Sequence, residues 1–216
     1  MNILVTNDDG VYAPGLRALH EAVSSLGEAV IVAPERDNSA VSHSLTMNRP
    51  LKVVQLDAHI HMIDGTPTDC VAVGLKKILA SPPDLLVSGI NAGPNLGDDI
   101  SYSGTVSAAI EGTMYGIPSL ALSVGGGPPH DFREAMRVAA LMAARALASP
   151  LPADTVLNIN LPPVPPEQVK GIKVTTLGRR AYSGSLTRAR DRLVLFVTGT
   201  DDSGPVSSGD SRPGVA

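Results

Sequence analysis

Short apolar runs alternate with amphipathic stretches along the first 160 residues. Ile3, Leu4 and Val5 read as a buried strand that stops at Asn7-Asp8-Asp9-Gly10. After Pro14, the residues Leu16, Leu19, Ala22, Val23 and Leu26 recur at helical spacing, and Gly27 closes that helix. A second buried strand covers Ala29 to Val32. Residues 35–48 are polar and without period, and Leu51–Leu56 and His59–Ile63 read as two short strands. Thr66-Pro67-Thr68-Asp69 has a Thr at the N-cap, a Pro at N1 and an acid at N3, which predicts a helix running to about Leu79. Further strands are expected at Asp84–Ser88, Leu120–Val124 and Val156–Ile159, and helices at Ser103–Tyr115 and His130–Ala148.

This alternation is the pattern of an α/β fold: a Rossmann-like, doubly wound and mostly parallel sheet with helices on both faces. The character changes after residue 150, where six prolines fall between Pro150 and Pro166. Beyond them Ile172–Thr176 and Leu193–Thr198 read as strands flanking a basic stretch from Arg179 to Arg192. The expected organisation is a main domain over 1–160, a C-terminal β appendage over 161–200, and a disordered Ser/Gly/Pro-rich tail over 201–216.

Composition narrows the function classes. The 216 residues are 43% hydrophobic, enough for a core, but include no Trp, two Phe and four Tyr, so the core must be aliphatic. That scarcity disfavours base-stacking nucleic-acid platforms, and a net charge of −4 gives no general attraction to nucleic acid or anionic membrane. The single cysteine, Cys70, excludes an intrachain disulfide and a multi-thiolate metal site. No apolar run is long enough for a membrane helix, and the N-terminus lacks a signal-peptide pattern. The expectation is a soluble, cytoplasmic protein.

Ligands of open α/β sheets bind outside the carboxyl ends of the strands, and three such ends carry unusual residues. Asp8 and Asp9 after the first strand would repel each other unless a hard divalent cation joined them; they equally suit a turn or a helix cap. Ser39, in the polar loop after the second strand, offers a hydroxyl ligand or a turn. The segment Ser88-Gly89-Ile90-Asn91-Ala92-Gly93-Pro94-Asn95 leads to Ser103-Gly104-Thr105 at a helix start. Free N–H groups, hydroxyls and the positive helix end suit a phosphate there, although Ser103 is also an ordinary N-cap. Neither a Gly-x-Gly-x-x-Gly nor a P-loop pattern is present, which disfavours dinucleotide binding and P-loop ATP hydrolysis. His59 and His61 share a strand face without a third ligand nearby and read as solvent-facing rather than zinc-binding.

Taken in order, five motifs resemble the SurE family of stationary-phase survival proteins, which are metal-dependent 5'(3')-nucleotidases. They are Asn7-Asp8-Asp9-Gly10, the Ala33-Pro34-Glu35-Arg36 to Ser39 loop, Gly65-Thr66-Pro67-Thr68-Asp69-Cys70, Ser88 to Asn95, and Ser103-Gly104-Thr105. The resemblance implies Asp8, Asp9, Ser39 and Asn91 as ligands of a divalent cation, Mg²⁺ or Mn²⁺. It implies Asn95, Ser103, Gly104 and Thr105 as the phosphate surface, and a nucleoside monophosphate as substrate. It further implies a β extension exchanged with a neighbour in a homodimer or tetramer. Family chains continue past a Gly-Thr-Asp with a further strand, a Thr-Pro-Leu segment and a closing helix. Here Ser/Gly/Pro-rich residues follow Gly199-Thr200-Asp201, so reduced activity and weaker assembly are expected. Two other readings stand beside the nucleotidase: a non-catalytic nucleotide- or phosphate-binding regulatory module, and a phosphatase using Asp8 as a covalent nucleophile. The adjacent acids count against the latter, which needs Asp-x-Asp. No residue stands out as the general acid.

Overall fold

A computed structural model of the chain describes residues 1–179 apart from 128, 129 and 150, together with the backbone of two later strands at 183–189 and 192–198. The expected tail over 201–216 lies outside the described residues. Contacts divide the chain into one unit over Met1–Gly178 and a second over Arg179–Ala216.

Among the described residues of the first unit, seven strands form one sheet. In chain order they are β1 (Asn2–Thr6), β2 (Glu28–Pro34), β3 (Val53–Asp57), β4 (Ile60–Ile63), β5 (Leu85–Ala92), β6 (Ser119–Val124) and β7 (Val156–Leu161). Their spatial order is β3-β4-β2-β1-β5-β6-β7, parallel throughout except for β3, which pairs antiparallel with β4. Four helices complete the unit: α1 (Pro14–Val23), α2 (Pro67–Val73), α3 (Gly104–Met114) and α4 (Arg133–Ala148). The expected α/β architecture is the one observed.

The apolar runs follow from burial on both sides of the sheet. Ile3, Val5, Ile31, Leu85, Val87, Leu120 and Leu122 belong to one core with residues of α1 and α4. Leu4, Val30, Val32, Leu86 and Ala121 alternate with them and face a second core with α2 and α3. The Ala richness of α4 has a packing reason. Ala135, Ala139, Ala143 and Ala146 are its buried stripe, and small side chains let it approach α1 closely.

Helix α2 starts as the sequence predicts. The Thr66 hydroxyl accepts from the Asp69 N–H at 3.1 Å, and the Asp69 carboxylate accepts from the Thr66 N–H at 2.9 Å. It continues after Val73 as a π-helical turn over Gly74–Ile78. Helix α4 begins at Arg133 rather than His130, because the Asp131 carboxylate takes the Arg133 N–H and guanidinium in a local turn.

The appendage differs from its expected form. Ile172–Thr176 forms no strand: Ile172 and Val174 are 75% and 96% exposed, beside Gly171 and Lys173, and nothing pairs with them among the described residues. Instead β8 (Ser183–Ala189), drawn from the basic stretch, pairs antiparallel with β9 (Arg192–Thr198), so Leu193–Thr198 lies in a strand as expected.

Gly15 marks where α1 meets the sheet most closely: a Cβ there would lie 2.0 Å from the Ile90 carbonyl oxygen on β5. Alanine normally favours a helix by about 1 kcal/mol over glycine. Here a collision with strand backbone outweighs that gain. Gly15→Ala is expected to lower stability by about 1–3 kcal/mol in urea denaturation, and an unchanged or raised midpoint would contradict this packing.

Candidate active site

The strand order reverses between β1 and β5: the chain leaves β1 through α1 toward β2, and leaves β5 through α3 toward β6. A crevice opens above such a switch point, and the residues singled out from the sequence gather around it.

Asp8 follows β1 and is only 5% exposed. Its Oδ1 accepts a hydrogen bond from the Thr105 hydroxyl in the first turn of α3, and its backbone carbonyl accepts from the Asn38 N–H at 2.8 Å. Gly104 packs directly on it: a Cβ at Gly104 would lie 2.7 Å from Asp8 Cβ and 2.9 Å from Oδ2. A glycine is therefore required at that turn if Asp8 and the helix end are to meet. Ser103 caps α3, its hydroxyl accepting from the Val106 N–H at 3.1 Å.

Asp9 lies near the end of β5, where the Ala92 backbone N–H works against the rise of its pKa. Burial, then the charges of Asp8 and Asp37, push its pKa up to about 6. Burial likewise raises Asp8 above the ordinary carboxylate range, against the lowering effect of the Thr105 hydrogen bond. Asn91 donates its side-chain N–H to the Gly93 carbonyl at 2.8 Å, which leaves its amide oxygen as the group it can offer a cation.

Ser39 is exposed, and both its N–H and its hydroxyl donate to Asp37 Oδ1, at 2.7 and 2.6 Å. Asp37 is the residue that sequence reasoning missed. It is a third acid close enough to raise both Asp8 and Asp9, and it positions Ser39. The Asp-x-Ser spacing was its signal.

Asn95, 7% exposed, is tied to the ends of β6 and β7. Its N–H donates to Asn160 Oδ1 at 2.8 Å and its side chain donates to the Ser123 hydroxyl at 2.8 Å. Its carbonyl accepts from Asn158 and Asn160. These three partners were also unrecognised, though Asn158 and Asn160 within a strand pattern were a visible anomaly.

The donor set fits a hard divalent cation. Every group is oxygen, and two carboxylates are held together at a protonation cost that a cation would relieve; Asn7 Oδ1 beside them is buried without a partner among the described residues. No cluster of three or more His, Cys, Asp or Glu suited to a metal occurs among the described residues. His59 lies 3.7 Å from Glu28, away from the crevice on β4's approach.

Fold and local contacts together define a doubly wound α/β protein with a buried carboxylate against a helix N-terminus. The family model described as Survival protein SurE matches residues 3–184. The 5'-nucleotidase SurE of Geobacter sulfurreducens is 50% identical over 192 residues, spanning 88% of this chain and 73% of that protein. The 5'-nucleotidase SurE of Methylococcus capsulatus is 44% identical over 215 residues, covering 100% of this chain and 85% of its own. The crystal structure of the SurE protein from Aquifex aeolicus superposes with a TM-score of 0.83 at 45% identity, over 92% of this chain and 82% of that one. The chain belongs to the SurE family.

The raised Asp9 pKa has a stability consequence in metal-free protein. A folded-state value above the unfolded one means the native state holds the proton more tightly, so the associated stability is present at low pH. It is lost as pH rises from the ordinary 3.8 through about 6. In chelator, the melting temperature of wild type relative to Asp9→Asn is expected to fall across that window. A parallel pH dependence for the two proteins would contradict the coupling.

Proposed function

We propose that this protein is a metal-dependent phosphomonoesterase that hydrolyses nucleoside 5'- and 3'-monophosphates to nucleoside and phosphate. The observation that carries the reading is the contact of buried Asp8 with the first turn of α3, which sets a carboxylate cation ligand beside a helix N-terminus. Relatives named 5'-nucleotidase, up to 50% identical over most of the chain, supply the reaction class.

In this reading Asp8, Asp9, Ser39 and Asn91 hold a divalent ion, Mg²⁺ or Mn²⁺, which when bound supplies polarisation of the phosphoryl group and charge neutralisation. Ser103, Gly104 and Thr105 present the amides of α3 to the phosphoryl oxygens, where the helix dipole favours the charge that grows in the transition state. Thr105 also fixes the orientation of Asp8, so one hydroxyl serves cation site and phosphate seat together. Asn95, immobilised by Ser123, Asn158 and Asn160, closes the seat on the β6 side. Asp8 lies behind Gly104 and Thr105 as an acceptor, a poor position for a covalent nucleophile.

The second unit supports an oligomeric reading. A two-stranded hairpin is marginal alone in water, and β9 carries the run Leu193-Val194-Leu195-Phe196-Val197. We read β8 and β9 as an arm that pairs with another copy of the chain in a dimer or tetramer. A cytoplasmic location belongs to the same reading, supported by a single thiol, Cys70, that is buried. No helix among the described residues is long and apolar enough to cross a membrane.

Phosphate release from nucleoside monophosphates is expected to require Mg²⁺ or Mn²⁺, to stop in chelator and to return on adding metal. Asp8→Asn is expected to cut turnover by roughly 10²–10³-fold while the metal-free fold persists with an equal or higher melting temperature. Full activity in chelator, or normal turnover by a variant that melts earlier, would sink the assignment. Light scattering at micromolar concentration is expected to give a dimer or tetramer; a monomer would remove the arm's proposed role.

A further inference from the structure

The loop that carries Ser39 is held from two sides. Before Ser39, the Asn38 N–H donates to the Asp8 carbonyl at 2.8 Å. After it, His43 reaches α3, where its Nε2 lies 2.8 Å from Glu111 Oε2. Ser42 adds its N–H to the Tyr102 carbonyl at 3.0 Å and its hydroxyl to the Ser101 carbonyl at 2.7 Å, just ahead of the same helix. Helix α3 thus meets this part of the molecule twice. Its first turn touches Asp8 through Thr105, and Glu111 holds the far end of the Ser39 loop.

The His43–Glu111 contact differs from an ordinary surface pair. Its side chains are 32% and 9% exposed, whereas every other ion pair among the described residues has a partner whose side chain is at least 45% exposed. A carboxylate only accepts, so His43 Nε2 is the donor. Among the described residues, His43 is the side chain that hydrogen-bonds to Glu111. A buried carboxylate left without such a partner is strongly unfavourable, so the contact resists opening.

The segment between Ser39 and His43 needs that restraint. Ala40 and Ser42 have φ of 59° and 58°, left-handed backbone that residues with a Cβ rarely adopt. Two such residues persist only where the surroundings hold them. Released, the segment would relax to ordinary backbone and shift the adjoining Ser39. Of the four residues read as cation ligands, Ser39 is the exposed one, so its placement depends most on the loop.

We propose that His43 and Glu111 are positioning residues, whose contact holds the strained Ser39–Ser42 segment so that the Ser39 hydroxyl is presented to the cation. The inference rests on the metal-dependent nucleotidase reading and deepens it. Both residues act through Ser39 and not as ligands.

The test measures Mn²⁺ binding by titration calorimetry and amide hydrogen exchange of the metal-free protein, each below the melting transition. His43→Ala is expected to weaken Mn²⁺ binding by about tenfold, within the roughly 10–100-fold loss typical when groups behind metal ligands are removed. His43→Gln, whose amide can still donate to Glu111, is expected to recover part of it. In a Ser39→Ala background, adding His43→Ala is expected to weaken binding no further, because the ligand it positions is gone. The Val41 and Ser42 amides are expected to exchange about tenfold faster in His43→Ala, the scale of one hydrogen bond to a charged group. Should His43→Ala fail to fold with Glu111 buried and unpaired, Glu111→Gln makes the same comparisons without a stranded charge. Additive losses with Ser39→Ala, or wild-type Mn²⁺ affinity in a variant that merely melts earlier, would overturn the proposal. Absence of Mn²⁺ binding by wild type would instead strike the metal reading. The exchange ratio would then decide alone: faster exchange at Val41 and Ser42 supports the restraint, and unchanged exchange overturns it.

Discussion

The site depends on keeping the carboxylate of Asp8 out of water while it touches the start of α3. Burial alone raises the pKa of such a group, and the neighbouring charge of Asp37 pushes in the same direction. Three features oppose this: the Thr105 hydroxyl, the N-terminal end of an eleven-residue helix, and a glycine that lets the two meet. A hard divalent cation held there would relieve that repulsion.

Around that contact, a loop with almost no regular structure is held by polar bonds rather than by apolar packing. Between β2 and β3 the chain is fastened by Asn38 to Asp8, Ser42 to the Ser101 and Tyr102 carbonyls, His43 to Glu111 at 2.8 Å, and Thr46 to Asp69. Each bond contributes only about 0.5–1.5 kcal/mol net, yet each fixes residues that would otherwise be free, at about 1–2 kcal/mol of backbone entropy apiece. Order therefore concentrates at the anchors. Asp69 serves two of these functions, capping α2 and binding Thr46, so the helix that ends the hairpin also fixes the loop that carries Ser39.

Much of this was legible in the sequence because burial on both faces writes itself as unbroken apolar runs, and Ile3–Val5, Ala29–Val32 and Leu120–Val124 all fall in strands. The α2 capping box was equally plain, since Thr66 and Asp69 meet through local bonds. Asp37 was not, because its effect on Asp8 and Asp9 arises through a loop whose path no period encodes. The partners of Asn95 were hidden for a related reason: Ser123, Asn158 and Asn160 are distant in sequence and converge only once β6 and β7 pair. Ile172–Thr176 had a strand composition but no partner strand among the described residues, whereas the more polar β8 pairs with β9.

The two faces of the sheet carry different burdens. On the α1 and α4 side, large aliphatic residues and the alanine stripe of α4 supply packing, and substitutions there act through stability. On the α3 side, the buried first turn consists of Gly104, Thr105 and Val106, two of them chosen by what Asp8 needs rather than by volume. A residue larger than glycine at 104 would add buried carbon yet separate the helix end from the carboxylate. The fold gives up apolar packing at that one point in exchange for contact between a charge and a helix terminus. That end of the sheet therefore sets a buried carboxylate against a helix terminus where a packed core would put carbon.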